Sequence, residues 1–176
     1  LKNLKKKGKK IILCHGSFDL IHPGHLNHFE EAKKFGDILV VTITADNFIK
    51  KNIHSPFYSQ DIRINFLKNL KVVDYAFIVN DVDAIPAIET IKPNYYCKGL
   101  EYKKIDKIGN LNKEKKILFK NKGKIKFLGK AVESSSKIIS KKLFKFENDE
   151  LSKYSKEVNF SILDKVVEKI KNLKVI

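Results

Sequence analysis

CHGSFDLIHPGHL, at residues 14–26, is the stretch of sequence that decides how this chain folds. A short apolar run at residues 11–13 precedes it and predicts a buried first strand, and a helical pattern begins at Gly24. A junction of this kind exposes backbone N–H groups and the positive end of a helix dipole. The stretch therefore predicts a loop that binds phosphate.

Apolar runs and helical periods alternate along the rest of the chain. The run at residues 38–43 is continuously apolar, which is typical of a central parallel strand buried on both faces. Together the elements predict an α/β fold that is Rossmann-like and doubly wound, with a five-stranded, mostly parallel sheet. The predicted strands are residues 11–14, 38–43, 75–79, 95–98 and 125–128, and the predicted helices are residues 24–35, 59–70, 83–91, 113–121 and 134–143.

The sequence also predicts the local structure of three further segments. Residues 1–9 are rich in lysine and predict a frayed arm. Residues 100–112 have no clear period and predict an exposed, charged loop. In the second helix, the apolar period predicts that the buried face is lined by Ile62, Phe66, Leu67 and Leu70.

The composition changes after Phe146, which predicts a domain at residues 1–146 and a helical C-terminal extension at residues 147–176. The extension carries an amphipathic stripe that needs a partner. Three partners stay open, namely the domain itself, a second subunit, or a neighbouring domain. The sequence begins at Leu1 and contains no methionine, so we expect it to be a segment of a longer protein.

Charge and hydropathy narrow the classes of function. The chain has 36 basic and 20 acidic residues and a net charge of +16, but Arg63 is its only arginine. Recognition of nucleic acid favours the arginine fork, so we expect an anionic small molecule and no nucleic acid as partner.

No apolar run approaches the roughly 20 residues of a membrane span, and no secretory signal is visible. Cys14 and Cys97 lie far apart without metal-ligand spacing, so we expect a cytoplasmic protein with both thiols buried and reduced.

Polar residues follow the carboxyl ends of the predicted strands, where a doubly wound sheet binds its ligands. His22 and His25 lie three residues apart around a Pro–Gly turn, so their ring N–H groups can point at one site. Lys98 and Gly99 follow the fourth strand, and three serines at residues 134–136 open the last helix. We expect these groups to converge at one edge of the sheet.

The order of the motifs resembles one known family. HPGH, at residues 22–25, is similar to the HxGH signature of the nucleotidyltransferase superfamily. Six blocks in order resemble its cytidylyltransferase-like group, in particular the nucleotidyltransferase domain of the bifunctional heptose enzyme and glycerol-3-phosphate cytidylyltransferase. The resemblance covers about residues 10–143, and its blocks are GSFD at 16–19, HPGH at 22–25, and the segments 36–46, 72–77, 91–102 and 134–136.

The resemblance implies a role for each candidate residue and assigns no side chain as a metal ligand. The catalytic residues it implies are His22, His25 and Lys51. The nucleotide-binding residues are Gly16, Ser17, Phe18, Gly24, His25, Lys98, Gly99, Glu101, Ser134, Ser135 and Ser136, and the acceptor-binding residues are Asp19, Lys50 and Arg63. His15 and His28 lie outside the motif and are expected at the surface or in packing. The arginine that commonly precedes the serine cluster is missing, and Lys130 stands nearby.

Relatives in this group transfer a nucleoside monophosphate from a nucleoside triphosphate to a phosphorylated polyol, sugar or alcohol, and release pyrophosphate. The implied reaction here uses CTP with Mg²⁺ and makes a CDP-activated precursor of cell-surface polysaccharide. The resemblance also implies a homodimer, and fusion to another domain stays open. Three alternatives stay open as well: an adenylyltransferase that makes an ADP-sugar from ATP, a non-catalytic nucleotide-binding module of a multidomain protein, and an RNA-binding domain.

Overall fold

Strands and helices alternate along the part of the chain that the structure describes. The structure is a computed structural model, and it describes residues 1–49, 56–104 and 110–129. The strands are β1 (Ile11–Gly16), β2 (Ile38–Thr44), β3 (Tyr75–Val79), β4 (Tyr95–Gly99) and β5 (Lys124–Leu128). The helices are α1 (Lys2–Lys6), α2 (Pro23–Lys33), α3 (Gln60–Lys68), α4 (Ile85–Ile91), α5 (Glu101–Lys104) and α6 (Asn110–Lys120), and a 3₁₀ turn lies at Asp46–Phe48.

The five strands form one sheet in the order β3-β2-β1-β4-β5, and all four neighbouring pairs are parallel. This confirms the α/β, Rossmann-like, doubly wound fold, with a sheet that is wholly parallel in the described residues. The strand order reverses between β1 and β4, which are direct neighbours. Ligands of such sheets bind at this switch point, outside the carboxyl ends of the strands. The opening loop leaves β1 at that edge, so the fold places it where a ligand is expected.

Two apolar layers enclose the sheet. On one face Phe29 of α2 and Leu67 of α3 pack on strand residues that include Val41. On the other face Ile88 of α4 and Leu118 of α6 pack on a second cluster. Residues 39–44 of β2 are buried without interruption, which confirms the prediction of a central strand covered on both faces.

Two segments predicted to lack regular structure, residues 1–9 and 100–112, contain helices. Residues 2–6 form α1 in place of a frayed arm, and the ammonium of Lys5 donates to the carbonyl of Lys92 at the end of α4. Burial lowers the pKa of Lys5, and Lys92 lowers it further. The segment 100–112 contains α5 and the start of α6, so its described residues are largely helical.

The buried face of α3 differs from the predicted one. Leu67 is fully buried as expected, but Ile62 and Phe66 are 45% and 50% exposed. Arg63 and Ile64 take the buried positions instead. The apolar period misplaced this face because it treated Arg63 as a surface residue, whereas its guanidinium finds enough acceptors inside the fold to be buried.

The described residues all belong to one unit of the chain, Leu1–Val132. The predicted helix at residues 134–143, the boundary after Phe146 and the extension at residues 147–176 lie outside the described residues. No helix among the described residues is long and apolar enough to cross a membrane.

Candidate active site

His22 and His25 lie together at the start of α2. His22 is the N-cap residue of this helix, in an extended conformation, and Pro23 occupies the first helical position, where its fixed φ favours a helix start. The two imidazole rings stack with their centroids 3.9 Å apart. The structure therefore brings the predicted histidine pair together at a helix N-terminus, beside the positive end of its dipole.

The protonation of His22 follows from its hydrogen bond. Its Nδ1 accepts the backbone N–H of Gly24 at 3.1 Å, so in the neutral ring the proton sits on Nε2. Burial lowers the pKa of His22, which favours this neutral form. Nε2 is buried and has no hydrogen-bond partner among the described residues. His22 thus holds one N–H donor that the described part of the protein does not use.

The loop after β1 holds its backbone in an unusual shape. Phe18 has φ +45°, a left-handed conformation that is uncommon for a residue with a side chain. Its ring is 8% exposed and packs edge-on against His25 and Phe29, with centroid distances of 5.2 and 5.1 Å. The ring of Phe18 is therefore part of the core and buttresses His25, so a contact of this residue with nucleotide would have to come from its backbone.

Asp19 organises the loop that leads to α3. Its carboxylate accepts the backbone N–H groups of Phe57 and Tyr58 at 2.8 and 2.9 Å. These two bonds join the phosphate-loop candidate after β1 to the segment that follows residue 55. Asp19 thus acts here as a hydrogen-bonding link between loops, and its predicted contact with the acceptor stays a prediction.

Arg63 occupies a different place from the one expected of an acceptor-binding residue. Its side chain is fully buried, and four N–H···O bonds leave it. The acceptors are the carbonyls of Tyr58, Ser17 and Thr44 and the carboxylate of Asp46, the last at 2.6 Å. These bonds use four of the five N–H donors of a guanidinium, so a phosphate that binds in bidentate fashion would have to displace an internal partner. Arg63 therefore anchors the Ser17 loop, and its predicted contact with the acceptor stays a prediction.

Lys98 and Gly99 end β4, beside β1 at the switch point. The Lys98 ammonium is 3.3 Å from a carboxylate oxygen of Glu114 and lies over the rings of Tyr96 and Tyr102, at 5.2 and 4.7 Å from their centroids. The carboxylate of Glu101 lies over Gly99, 2.2 Å from where a Cβ would stand, but it is the end of an exposed, flexible side chain and can move away. Lys98, Gly99 and Glu101 therefore lie together at the carboxyl end of β4.

Five predicted site residues lie outside the described residues, so their roles stay predictions. They are Lys50, Lys51, Ser134, Ser135 and Ser136.

His15, which was predicted to lie at the surface or in packing, is packed at the same edge. Its ring nitrogens lie 3.0 and 3.3 Å from the hydroxyls of Thr42 and Thr44 on β2. Burial, with a smaller effect of the Lys98 charge, lowers the pKa of His15 to about 3. His15 is therefore a neutral bridge between two strands, and only its position just before the GSFD block hinted at such a role. The other histidine outside the motif, His28, lies 3.6 Å from the Cys14 sulfur, which confirms a packing role.

Sequence reasoning missed Glu114, although the sequence carried a signal for it. On α6 it shares one helical face with Leu111 and Leu118, and all three are buried. A carboxylate on an apolar stripe is unusual, because burying its charge is costly without partners. A glutamate between two leucines of the buried face therefore indicated a polar contact inside the fold.

Fold and site together define the class: an α/β protein with a doubly wound parallel sheet and a histidine pair at the helix N-terminus beside its switch point. Residues 13–142 match the model of the cytidylyltransferase-like family, so the chain belongs to that family. This confirms the resemblance drawn from the six sequence blocks.

Curated proteins of similar sequence are considerably longer than this chain. The bifunctional protein HldE of Aliarcobacter butzleri is 37% identical over 108 residues, which are 60% of this chain and 23% of that protein. The bifunctional protein HldE of Helicobacter pylori strain J99 is 36% identical over 121 residues, covering 67% of this chain and 26% of that protein. The chain thus spans about a quarter of the length of these relatives.

A solved structure of similar fold has nearly the length of the matched region. It is the lipopolysaccharide core biosynthesis protein from Thermoplasma volcanium, which superposes with a TM-score of 0.59 at 26% sequence identity. The match covers 70% of this chain and 99% of that one. The Thermoplasma protein therefore consists almost entirely of the matched fold.

Proposed function

We propose that this chain is a nucleotidyltransferase that moves CMP from CTP to a phosphorylated polyol or sugar and releases pyrophosphate. Membership of the cytidylyltransferase-like family supports the reaction class. Similarity to a lipopolysaccharide core biosynthesis protein supports a product destined for cell-surface polysaccharide.

The observation that carries the proposal is the state of the His22 ring. Its Nδ1 is committed to the helix, its lowered pKa favours the neutral imidazole, and its Nε2 has no partner among the described residues. A donor held in this way can bind an oxygen on which negative charge develops in the transition state. His25, stacked on it, places a second imidazole at the same helix end.

The reaction needs charge stabilisation more than it needs a base. An oxygen of the acceptor phosphate bonds to the α-phosphorus, and the bond from that phosphorus to the bridging α–β oxygen breaks, so pyrophosphate leaves with the electron pair. The acceptor phosphate is already ionised at neutral pH, so no proton has to be removed from it. We assign His22 and His25 to the α-phosphoryl oxygens and Lys98 to the other phosphates of the nucleotide.

Magnesium enters this scheme as part of the substrate. Mg²⁺ keeps several waters and binds phosphate oxygens readily, so the nucleoside triphosphate arrives as its magnesium complex. The chain's own residues then bind and orient the complex. Removal of magnesium with a chelator should abolish pyrophosphate release.

Nucleotide identity is tested by binding. The family description favours CTP. ATP stays the rival, because the names of the curated relatives do not specify a nucleotide. A ligand that binds only the folded state at 100 times its Kd adds about 2.7 kcal/mol of stability. CTP should therefore raise the melting temperature more than ATP, GTP or UTP, and a larger shift with ATP would assign an ADP-sugar product.

Turnover is tested with each nucleotide against a panel of phosphorylated polyols and sugars, with pyrophosphate release as the readout. We expect release with at least one pair and none without an acceptor. Nucleotide binding without release from any pair would favour the non-catalytic module of a multidomain protein. RNA affinity that falls steeply with salt and competes with nucleotide would favour the RNA-binding alternative.

A further inference from the structure

Glu114 is a buried carboxylate whose role the reaction scheme does not yet include. It is 2% exposed and lies on the inner face of α6, between Leu111 and Leu118. An ionised carboxylate in such a place destabilises a protein unless its oxygens are paired. Its partners therefore indicate why the fold retains it.

Three groups bind the two oxygens of Glu114. The backbone N–H of Ala84, at the start of α4, donates to Oε1 at 3.0 Å. The hydroxyl of Tyr96 donates to Oε2 at 3.2 Å, and the ammonium of Lys98 lies 3.3 Å from the same atom. Two neutral donors from α4 and β4 thus fix the carboxylate, and the fixed carboxylate then holds Lys98.

The surroundings of Lys98 make Glu114 its principal counter-charge. Tyr96 of β4 and Tyr102 of α5 face the ammonium with their rings, and burial raises the pKa of each phenol. His15 and Cys14 of β1 interact with the same charge, and burial keeps the imidazole and the thiol neutral. Of the side chains that face Lys98 in the described part of the chain, Glu114 is the one that forms an ion pair with it.

A lysine side chain is flexible, so its orientation has a cost. Fixing it in one rotamer costs conformational entropy. Where the protein fixes the rotamer before the ligand arrives, that cost does not reduce binding affinity. Lys98 is fixed in this way at the carboxyl end of β4, next to the switch point where the nucleotide is expected.

We propose that Glu114 is a positioning residue for Lys98, which it holds as an oriented cation toward the phosphates of the nucleotide. The inference rests on the proposed nucleotidyl transfer, and it adds a residue of α6 to the functional apparatus. Tyr96 assists by fixing the Glu114 carboxylate through its hydroxyl.

The test is a double-mutant cycle between Glu114 and Lys98. Glu114→Gln keeps an oxygen for the Ala84 N–H but removes the negative charge, and Lys98→Gln removes the cation. We expect Glu114→Gln to lower kcat/KM between about threefold and a hundredfold, and to have little further effect when Lys98→Gln is present. Tyr96→Phe, a second variant in case Glu114→Gln folds poorly, should give a smaller loss that also disappears in the Lys98→Gln background.

A comparison of the two substrates separates positioning from mere structural support. Because the oriented ammonium is proposed to bind the phosphates of the nucleotide, Glu114→Gln should raise KM for the nucleotide and leave KM for the acceptor unchanged. Glu89→Gln, at an exposed carboxylate of α4, makes the same change of charge away from the site and should leave the rate and both KM values unchanged.

Two results would overturn the inference alone. One is a loss in Glu114→Gln that persists in full when Lys98→Gln is present. The other is a lowered melting temperature with kcat/KM and both KM values unchanged. Absence of both nucleotide binding and pyrophosphate release in the unmodified protein would instead overturn the proposed function, and this inference with it.

Discussion

At the scale of single residues, His22 serves both the helix and the proposed reaction. Its Nδ1 caps α2 and its Nε2 is left for a ligand. Asparagine is also a good N-cap residue, and its side-chain oxygen can accept the same Gly24 N–H. One substitution can therefore separate the two functions of this ring.

His22→Asn should preserve the fold and impair turnover. We expect a melting temperature close to that of the unmodified protein and a kcat on the order of 100- to 1,000-fold lower, because a donor to the developing charge is lost. Circular dichroism and pyrophosphate release measure the two effects. Asn27→Ser, at an exposed position of the same helix, is the control. A kcat within about threefold of the original would remove His22 from the mechanism.

Substitution of Arg63 tests whether this residue of α3 is a buried anchor or a ligand contact. Arg63→Lys keeps the charge but cannot reproduce four N–H···O bonds from a planar fork. We expect the free energy of unfolding to fall by roughly 3 kcal/mol, because buried carbonyl acceptors lose their donors, with kcat/KM lowered through the released Ser17 loop. Denaturant unfolding measures the first effect. A raised KM for the acceptor with unchanged stability would instead restore Arg63 as a direct acceptor contact.

At the scale of elements, the connection from α2 to β2 depends on a close approach of backbone. A Cβ on Gly36 would lie 2.5 Å from Ile12 Cδ1 and 2.8 Å from the Lys10 carbonyl oxygen. That carbonyl cannot move away freely, because it accepts the N–H groups of Asp37 and Ile38 at 2.9 and 3.1 Å. The turn therefore has no room for a side chain.

Gly36→Ala should destabilise the protein by at least about 2 kcal/mol through overpacking against the edge of β1. Thermal and denaturant unfolding measure this loss. Lys34→Ala, at an exposed position two residues earlier, should be nearly neutral. Equal stabilities of the two variants would show that β1 can shift to admit the methyl group.

The elements also show where sequence patterns were sufficient. The long apolar run of β2 predicted its burial correctly, because a strand covered on both faces needs apolar residues at every position. In α3 and α6 the same kind of pattern failed at Arg63 and Glu114. Both are charged residues on buried faces, and their partners come from segments distant in sequence.

At the scale of the whole molecule, several histidines make the fold sensitive to acid. The pKa values of His15, His22 and His28 are all lowered by burial, that of His15 from 6.5 to about 3. A histidine of this kind is neutral in the folded state while the unfolded chain takes up a proton below about pH 6.5. The stability it contributes is therefore fully present above pH 6.5 and is lost as the pH falls toward 3.

The free energy of unfolding should consequently fall on acidification, by at most about 1.4 kcal/mol per pH unit from His15. His15→Gln removes the titrating group while keeping a hydrogen-bonding side chain between Thr42 and Thr44. Between pH 7.5 and about pH 4.5, the free energy of unfolding of the unmodified protein should fall by roughly 3 kcal/mol more than that of His15→Gln. Denaturant unfolding across pH measures the difference. Parallel pH curves for the two proteins would contradict the lowered pKa of His15.

The homodimer and the cytoplasmic location stay predictions. Light scattering in solution would determine whether one chain or two form the particle.

The sequence by itself determined the α/β class, the family and the histidine pair, because these depend on local period, turn residues and motif order. His22 caps its own helix through Gly24, two residues away, so its placement needed no distant partner. Only the tertiary structure decided the roles of Arg63, His15 and Glu114. Each is a polar group whose burial depends on partners from other elements, and the free energy of burying such a group is known only once those partners are in place.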